Sequence, residues 1–166
     1  SVQNRTGHWW HPPGTGFLAE VGQAWEAAAR PAAQKGIRVV NLRLGIVLSK
    51  NGGALKLMLP PFRMGMGGPL GSGRQVMAWI WLEDVVRVYE YAIQNESLSG
   101  PVNAVAPEAV TNLQFSKTLG RVLRRPVLLP VPTFMVRLLF GEMADEALLA
   151  STRGQPKRLQ ETGFRF

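Results

Sequence analysis

The run IRVVNL (Ile37–Leu42) constrains the fold of this chain more than any other segment. It is short, β-branched and nearly continuous in apolar character, which is the pattern of a strand buried inside a parallel sheet. Parallel neighbours must be joined by crossovers, usually helices, and the flanking sequence supplies them. Thr15 is a cap for a helix over residues 16–30, with Phe17, Val21, Trp25 and Ala28 on one face, Glu20 in the first turn and Arg30 in the last. Gly36 separates that helix from the strand. Downstream, Asn51-Gly52-Gly53 reads as a turn, and a helix from Ala54 to Leu59 is limited by Pro60-Pro61. A strand over residues 78–82 leads to a helix capped by Asp84, with Val85, Val88, Tyr89 and Ala92 as its buried face. Val102–Val105 is another strand. Thr111-Asn112-Leu113-Gln114 is a capping box opening a helix that turns Phe115, Leu119, Val122 and Leu123 to one side. VLLPVP (residues 127–132) reads as a short strand, and residues 133–150 as two helical pieces broken near Gly141. Helices alternating with short apolar strands predict a layered α/β fold.

Length and composition narrow the classes. At 166 residues the chain is one domain or one and a half, and 46% hydrophobic content suits a packed core. No apolar run reaches membrane-spanning length and no charged, then apolar, leader opens the chain. With 0 cysteines there is neither a disulfide framework nor thiolate chemistry, which fits a reducing compartment and a cytoplasmic location. His8 and His11 are the two imidazoles, both in an irregular stretch, so no metal site is expected. The formal charge of +8 raises nucleic acid as a partner. The basic residues are dispersed, however, without helix-turn-helix spacing or aromatic–basic interleaving. The run RVLRR (residues 121–125) closes an amphipathic helix, where cations favour the negative dipole end. The structural reading of these cations therefore ranks first.

Candidate chemistry is concentrated in MLPPFRMGMGGPLGSGRQVMAWIWLEDVVR (Met58–Arg87). Five glycines at 65, 67, 68, 71 and 73 let backbone approach a neighbour closely and tolerate positive φ. Arg63 stands before this loop, and Arg74 and Gln75 after it. Phe62, Arg63, Arg74, Gln75 and Trp81 are the candidate substrate wall: Arg can clasp a carboxylate or phosphate through paired hydrogen bonds, and indoles give an apolar floor with one donor each. Trp79 reads as core and Asp84 as a helix cap. The glycines do not fit G-x-G-x-x-G, and no G-x-x-x-x-G-K-[ST] phosphate loop is present.

LRLGIVLSKNGGALKLMLPPF (Leu42–Phe62), WIWLEDVV (Trp79–Val86), SGPVNAVAPEAVTN (Ser99–Asn112) and GRVLRRPVLLPVP (Gly120–Pro132), with the closing stretch from Leu138 to Phe166, carry a resemblance. Together they resemble the second half of an atypical branch of the extended short-chain dehydrogenase/reductase superfamily, the NAD-dependent epimerase-family proteins, some of which bear a cell-division-inhibitor label. The resemblance implies the C-terminal portion of a Rossmann-like parallel-sheet fold plus a small, mostly helical C-terminal domain. Residues 1–13 would be an irregular or divergent N-terminus, 14–125 the partial Rossmann-like, substrate-binding part, and 126–166 the small C-terminal domain, truncated. It implies NAD or NADP as cofactor, with Arg43, Leu44, Gly45, Ile46 and Val47 bordering the nicotinamide, and redox or epimerisation chemistry on a small polar substrate. Relatives often carry His where Trp81 stands.

The superfamily's proton-transfer pair, Tyr-x-x-x-Lys, has no match in the helix beginning at Phe17, or anywhere else in the chain. Tyr89 and Tyr91 lie in a later helix, so no catalytic acid or base is assigned. The chain is thus expected to act as the substrate-holding part, weak or inactive toward the dinucleotide by itself, with a small-molecule substrate and the N-terminal half as partners and no membrane association. A non-catalytic regulatory or ligand-sensing protein on the same fold is the second reading, and nucleic-acid binding through net charge the third.

Overall fold

The computed structural model describes residues 17–134 and 151–166. The chain divides into two compact units, residues 1–39 and residues 40–166. The cap at Thr15 and most of the helical pair over residues 133–150 lie outside the described residues.

In the first unit the predicted helix is two. Helix α1 covers Phe17–Ala28 and α2 covers Arg30–Gln34. Pro31, in the first turn of α2, has no N–H to continue the hydrogen-bond ladder of α1, so Arg30 starts a helix where it was expected to finish one. Trp25, expected on a buried face, is 76% exposed. Gly36 adopts φ +80° and the N–H of Ile37 returns to the carbonyl of Ala32, 3.1 Å away. That bond closes α2 and withdraws Ile37 from the strand predicted to begin there.

The second unit begins with β1 (Val40–Leu44) and β2 (Ile46–Leu48), separated by Gly45. Helix α3 (Gly53–Arg63), β3 (Val76–Met77), β4 (Trp79–Trp81), α4 (Leu82–Gln94), β5 (Gly100–Ala104), β6 (Val110–Thr111), α5 (Asn112–Leu123) and α6 (Lys157–Glu161) follow. Strand β1 pairs in parallel with β5, from Val40 beside Gly100 to Leu44 beside Ala104. Strand β2 pairs in parallel with β4, Ile46 beside Trp79, and β3 is antiparallel to β6.

These pairings meet at Gly45. Its N–H still reaches Ala104 O at 3.2 Å, but the next N–H, of Ile46, goes to Ala78 O at 2.8 Å. On the other side the N–H of Ala106 reaches Trp79 O at 2.6 Å. The β1 and β5 lines therefore splay beyond Leu44 and Ala104, and β4 enters between them. A Cβ on Gly45 would lie 2.7 Å from the carbonyl oxygen of Ala78 and 3.0 Å from Val105 Cγ1, closer than the backbone there can yield.

Helix α4 follows β4 without a loop. Trp81 is its N-cap, so Asp84 sits inside the first turn rather than at the cap. There its charge faces the positive helix end, and its Oδ1 accepts from Arg87 Nη1 at 2.8 Å. Val85, Val88 and Ala92 are buried as predicted, but Tyr89 is half exposed. Tyr91 takes the inward place: its ring meets Phe164 edge-on at 5.3 Å and its hydroxyl donates to Thr162 O. The core gathers α4, Ile80 of β4, Val102 and Ala104 of β5, and Leu159 and Phe164 from the C-terminal segment. The buried residue of WIW is Ile80, at 0% exposure, while Trp79, expected in the core, is half-buried and donates Nε1 to Glu108 O at 3.1 Å.

Helix α3 runs through Pro60 and Pro61, which were expected to stop it. The carbonyls that lose their donors belong to Lys56 and Leu57, both exposed residues, and unpaired backbone carbonyls are tolerated where water can reach them. The capping box at α5 is complete: the N–H of Gln114 donates to Thr111 Oγ1 at 3.2 Å, and the N–H of Thr111 donates to Gln114 Oε1 at 2.8 Å. Asn112, Ser116 and Gly120 form its buried row, with Val122, predicted inward, 72% exposed. Of the strand predicted over VLLPVP, a single bridge from Val131 to Leu70 forms, and Leu128 and Leu129 are exposed. No helix among the described residues is long and apolar enough to cross a membrane.

Replacing Gly45 by Ala should destabilise the second unit by about 1–3 kcal/mol, because a rigid backbone carbonyl occupies the space. Gly22→Ala, in α1 with nothing near its added Cβ, should instead stabilise its helix by up to about 1 kcal/mol. Urea melts of both variants check the opposite signs.

Candidate functional site

Ligands of open α/β sheets bind beyond the carboxyl ends of the strands, which here is the splayed region around Gly45. Arg43 and Leu44 end β1 with exposed side chains, Gly45 and Ile46 are half-buried, and Val47 packs against the core. The N–H groups of Gly45 and Ile46 are spent within the sheet. Neither of those two donors is therefore left for a ligand at this strand end.

The glycine-rich loop is anchored from inside. Asn112, 0% exposed, accepts the N–H of Leu70 on Oδ1 at 2.6 Å and contacts Met77 Sδ through Nδ2 at 3.3 Å. Gln75 is also buried: its Nε2 donates to Leu70 O at 3.0 Å, and its own carbonyl accepts the N–H of Asn112 at 2.9 Å. The N–H of Leu113 donates to Gly73 O at 2.9 Å. Phe62 is buried against Gly67, where a Cβ would fall 2.3 Å from its ring, and a Cβ on Gly68 would collide with Leu129 O. These two glycines are needed where the loop lies on its own protein, whereas Gly65, at φ +77°, faces open space.

Phe62 and Gln75 thus sit under the loop and hold it. Arg63 and Arg74 are exposed at its two ends, and the Arg63 carbonyl accepts Arg125 Nε at 2.7 Å. Trp81 is half-buried at the start of α4. Among the described residues no group of three or more His, Asp or Glu is placed to hold a metal ion.

A cavity of about 340 Å³ opens elsewhere in this unit, lined in part by Val76, Thr111, Gln114, Arg153 and Gln155. Val76 of β3 forms one side of it. Its far wall is held by two bonds, Thr152 N–H to Val76 O at 2.9 Å and Val76 N–H to Ser151 Oγ at 3.1 Å. Pro107, which with Asn103 matches the resembled family's strand-then-loop segment and is expected from that resemblance at the pocket rim, lines it, whereas none of Arg43–Val47, Phe62, Arg63, Arg74, Gln75 and Trp81 does. Sequence reasoning missed Asn112 as the loop's anchor and Arg153 and Gln155 as lining. The capping box was the one available signal, since it fixes Asn112 as the first helical residue and so at a loop–helix junction.

Comparison with known proteins agrees with this architecture. The chain is 52% identical over 153 residues to epimerase family protein Mb2239 of Mycobacterium bovis, covering 92% of this chain and 51% of that protein. It superposes on human epimerase family protein SDR39U1 (isoform 2), solved with NADPH, with a TM-score of 0.85 at 37% identity, covering 92% of this chain and 51% of that one. Homologues over this length are named epimerase family proteins, and the chain is similar to about half of each. It spans about half the length of the curated relatives it matches. Residues 131–166 match a domain of unknown function, DUF1731, which is the family's C-terminal domain. A nucleoside-diphosphate sugar epimerase from Corynebacterium glutamicum is also similar, with a TM-score of 0.72 at 36% identity, covering 92% of this chain and 28% of that one. The described sheet and helices are the Rossmann-like epimerase portion expected from the sequence.

Two substitutions separate the loop's anchor from its surroundings. Asn112→Ala strands the part-buried N–H of Leu70 and should cost about 1–3 kcal/mol, with faster tryptic cleavage after Arg63 and Arg74 at the two ends of the loop. Ser116 Oγ is buried with no hydrogen-bond partner among the described residues. Ser116→Ala should therefore leave stability unchanged or raise it by up to about 1 kcal/mol. Thermal melts and a trypsin time course check both.

Proposed function

We propose that this chain supplies the substrate-holding part of an NAD(P)-dependent epimerase or oxidoreductase acting on a small polar molecule. The observation that carries the reading is the likeness, at 37% identity and a TM-score of 0.85, to a human relative solved with NADPH. The nicotinamide would lie on the strand end from Arg43 to Val47, and the substrate beside Arg63, Arg74 and Trp81, with Phe62 and Gln75 holding the loop between them. A bound nicotinamide supplies hydride transfer. The chain's own residues would hold part of that group, the nicotinamide end at Arg43–Val47, while its sequence carries no G-x-G-x-x-G turn for the pyrophosphate. Arg63 and Arg74 can clasp an anionic or polyhydroxylated substrate and orient it, and Trp81 can exclude water from one side.

The parallel pair β1–β5 favours the N-terminal half of the family fold as the partner. Among the described residues β1 pairs with β5 alone, and Leu44 on it is 44% exposed. Parallel sheets are normally covered on both faces and continued at such edges, so a further strand beside β1 would complete the pocket that grips the coenzyme phosphates. The absence of cysteine suits a reducing, cytoplasmic setting. A ligand-sensing role on the same fold is favoured by one observation, the lack of any Tyr-x-x-x-Lys pair.

Calorimetric titration of NADPH and of NADH into the 166-residue chain tests the division of labour. Binding should be no tighter than about 1 mM, worth about 4 kcal/mol. Saturable micromolar binding would place the phosphate grip in this chain and overturn the proposal.

A further inference from the structure

We propose that the cavity beside Arg153 is a second binding site, for the oxyanion end of a small organic acid or phosphate ester. It opens beside Val76 of β3 and shares Pro107 with the expected pocket rim, but none of the residues assigned above to the nicotinamide or the substrate lines it, so its occupancy is tested apart from that reading.

Its wall joins three elements that are distant in sequence: β3 through Val76, the start of α5 through Thr111 and Gln114, and the C-terminal segment through Arg153 and Gln155. Arg153 brings a full positive charge, and among the described residues it forms no ion pair or hydrogen bond. None of the lining residues among those described is acidic. Glu108, next in sequence to the rim, spends its carbonyl on Trp79 and is not part of the wall. The first turn of α5 also carries no acidic residue, so the positive end of its dipole is not offset there.

The polar groups have defined spare capacity. Gln114 uses Oε1 in the capping box, which leaves its Nε2 as a donor. Gln155 accepts Asn103 Nδ2 on its backbone carbonyl, leaving its side-chain amide for a ligand. A planar guanidinium flanked by two amides suits an oxyanion, which accepts several hydrogen bonds at once. Val76 with the rim residues Pro107 and Ala109 adds an apolar side. The volume of about 340 Å³ is at the lower end of small-molecule sites, roughly 300–1,000 Å³. That space admits an oxyanion with a few carbons attached, not a dinucleotide.

The test titrates inorganic phosphate, and separately acetate, into the whole chain while backbone amide shifts are followed by NMR. Saturating shifts grouped at Val76, Thr111, Gly154 and Gln155 are expected. Phosphate alone saturating assigns a phosphate ester, acetate alone a carboxylic acid, and both a general oxyanion site. Neither saturating overturns the proposal. Arg153→Gln should weaken the response about tenfold, as loss of a charged hydrogen-bond partner does, and Arg153→Lys should recover part of it. Arg121→Gln, the same change of charge on the exposed side of α5, should leave it intact. Equal weakening by both Gln variants would reduce the effect to net charge and overturn the site. If Arg153→Gln fails to fold, Ala109→Phe decides: it fills the cavity from an exposed rim position, and undiminished binding in that variant overturns the proposal.

Discussion

The carbonyl of Ala78 facing a residue without a side chain is the contact on which the rest of this structure depends. At Gly45 one continuous strand line stops pairing with β5 and begins pairing with β4, and the exchange leaves no room for a Cβ. Because β4 enters there, α4 starts at once from Trp81 and lies with Val85, Val88 and Ala92 against the core. Gly154, from the C-terminal segment, approaches the same point, where an added Cβ would lie 3.3 Å from Val105 and 3.6 Å from Ala78. Strand exchange, helix start and the return of the chain end are therefore set by one close-packed place. A glycine that reads from sequence as a ligand contact is also a packing requirement.

The C-terminal segment is part of the core rather than an appendage to it. Arg158 donates to the carbonyls of Ser99 and Pro101 at the start of β5, and Arg87 donates to Arg165 O at 2.6 Å while lying over the ring of Phe164. The exposed Arg87–Asp84 pair is worth at most about 1 kcal/mol. Burial of Leu159 and Phe164 contributes about 1.5–3 kcal/mol for each side chain. Apolar burial therefore binds the segment, and the arginines fix its register by saturating carbonyls at the strand entrance.

What was legible in the sequence followed from local chemistry. The Thr111–Gln114 box formed as read, because each group it satisfies lies within one turn. The inward row of α4 formed at Val85, Val88 and Ala92, while Tyr89 and Tyr91 exchanged roles. Period alone cannot decide between two tyrosines two residues apart when the partner that selects one, Phe164, lies more than seventy residues downstream. The strand at IRVVNL was identified but displaced, since Ile37 was already committed to closing α2. Pro60-Pro61 did not end α3, and the residues whose carbonyls lose a donor, Lys56 and Leu57, lie on its exposed side, which is a tertiary fact.

The site divides along the same line. Glycines, arginines and indoles around residues 62–81 were visible as a concentration of donors and flexible backbone, but not how they would be apportioned. The structure assigns Phe62 and Gln75, with the unforeseen Asn112, to holding the loop, and leaves Arg63 and Arg74 exposed at its ends. An arginine that must recognise a ligand has to keep its donors free, so the loop's own polar groups are better satisfied by buried amides than by guanidinium groups. A similar partition recurs beside Val76 of β3. There the capping box of α5 uses Gln114 Oε1 and leaves Nε2, while Arg153 arrives from the far end of the chain. In both places amides set the backbone, and the arginines stay outside the network. That separation of scaffold from recognition is the arrangement expected where a pocket must keep its shape while its charge remains available.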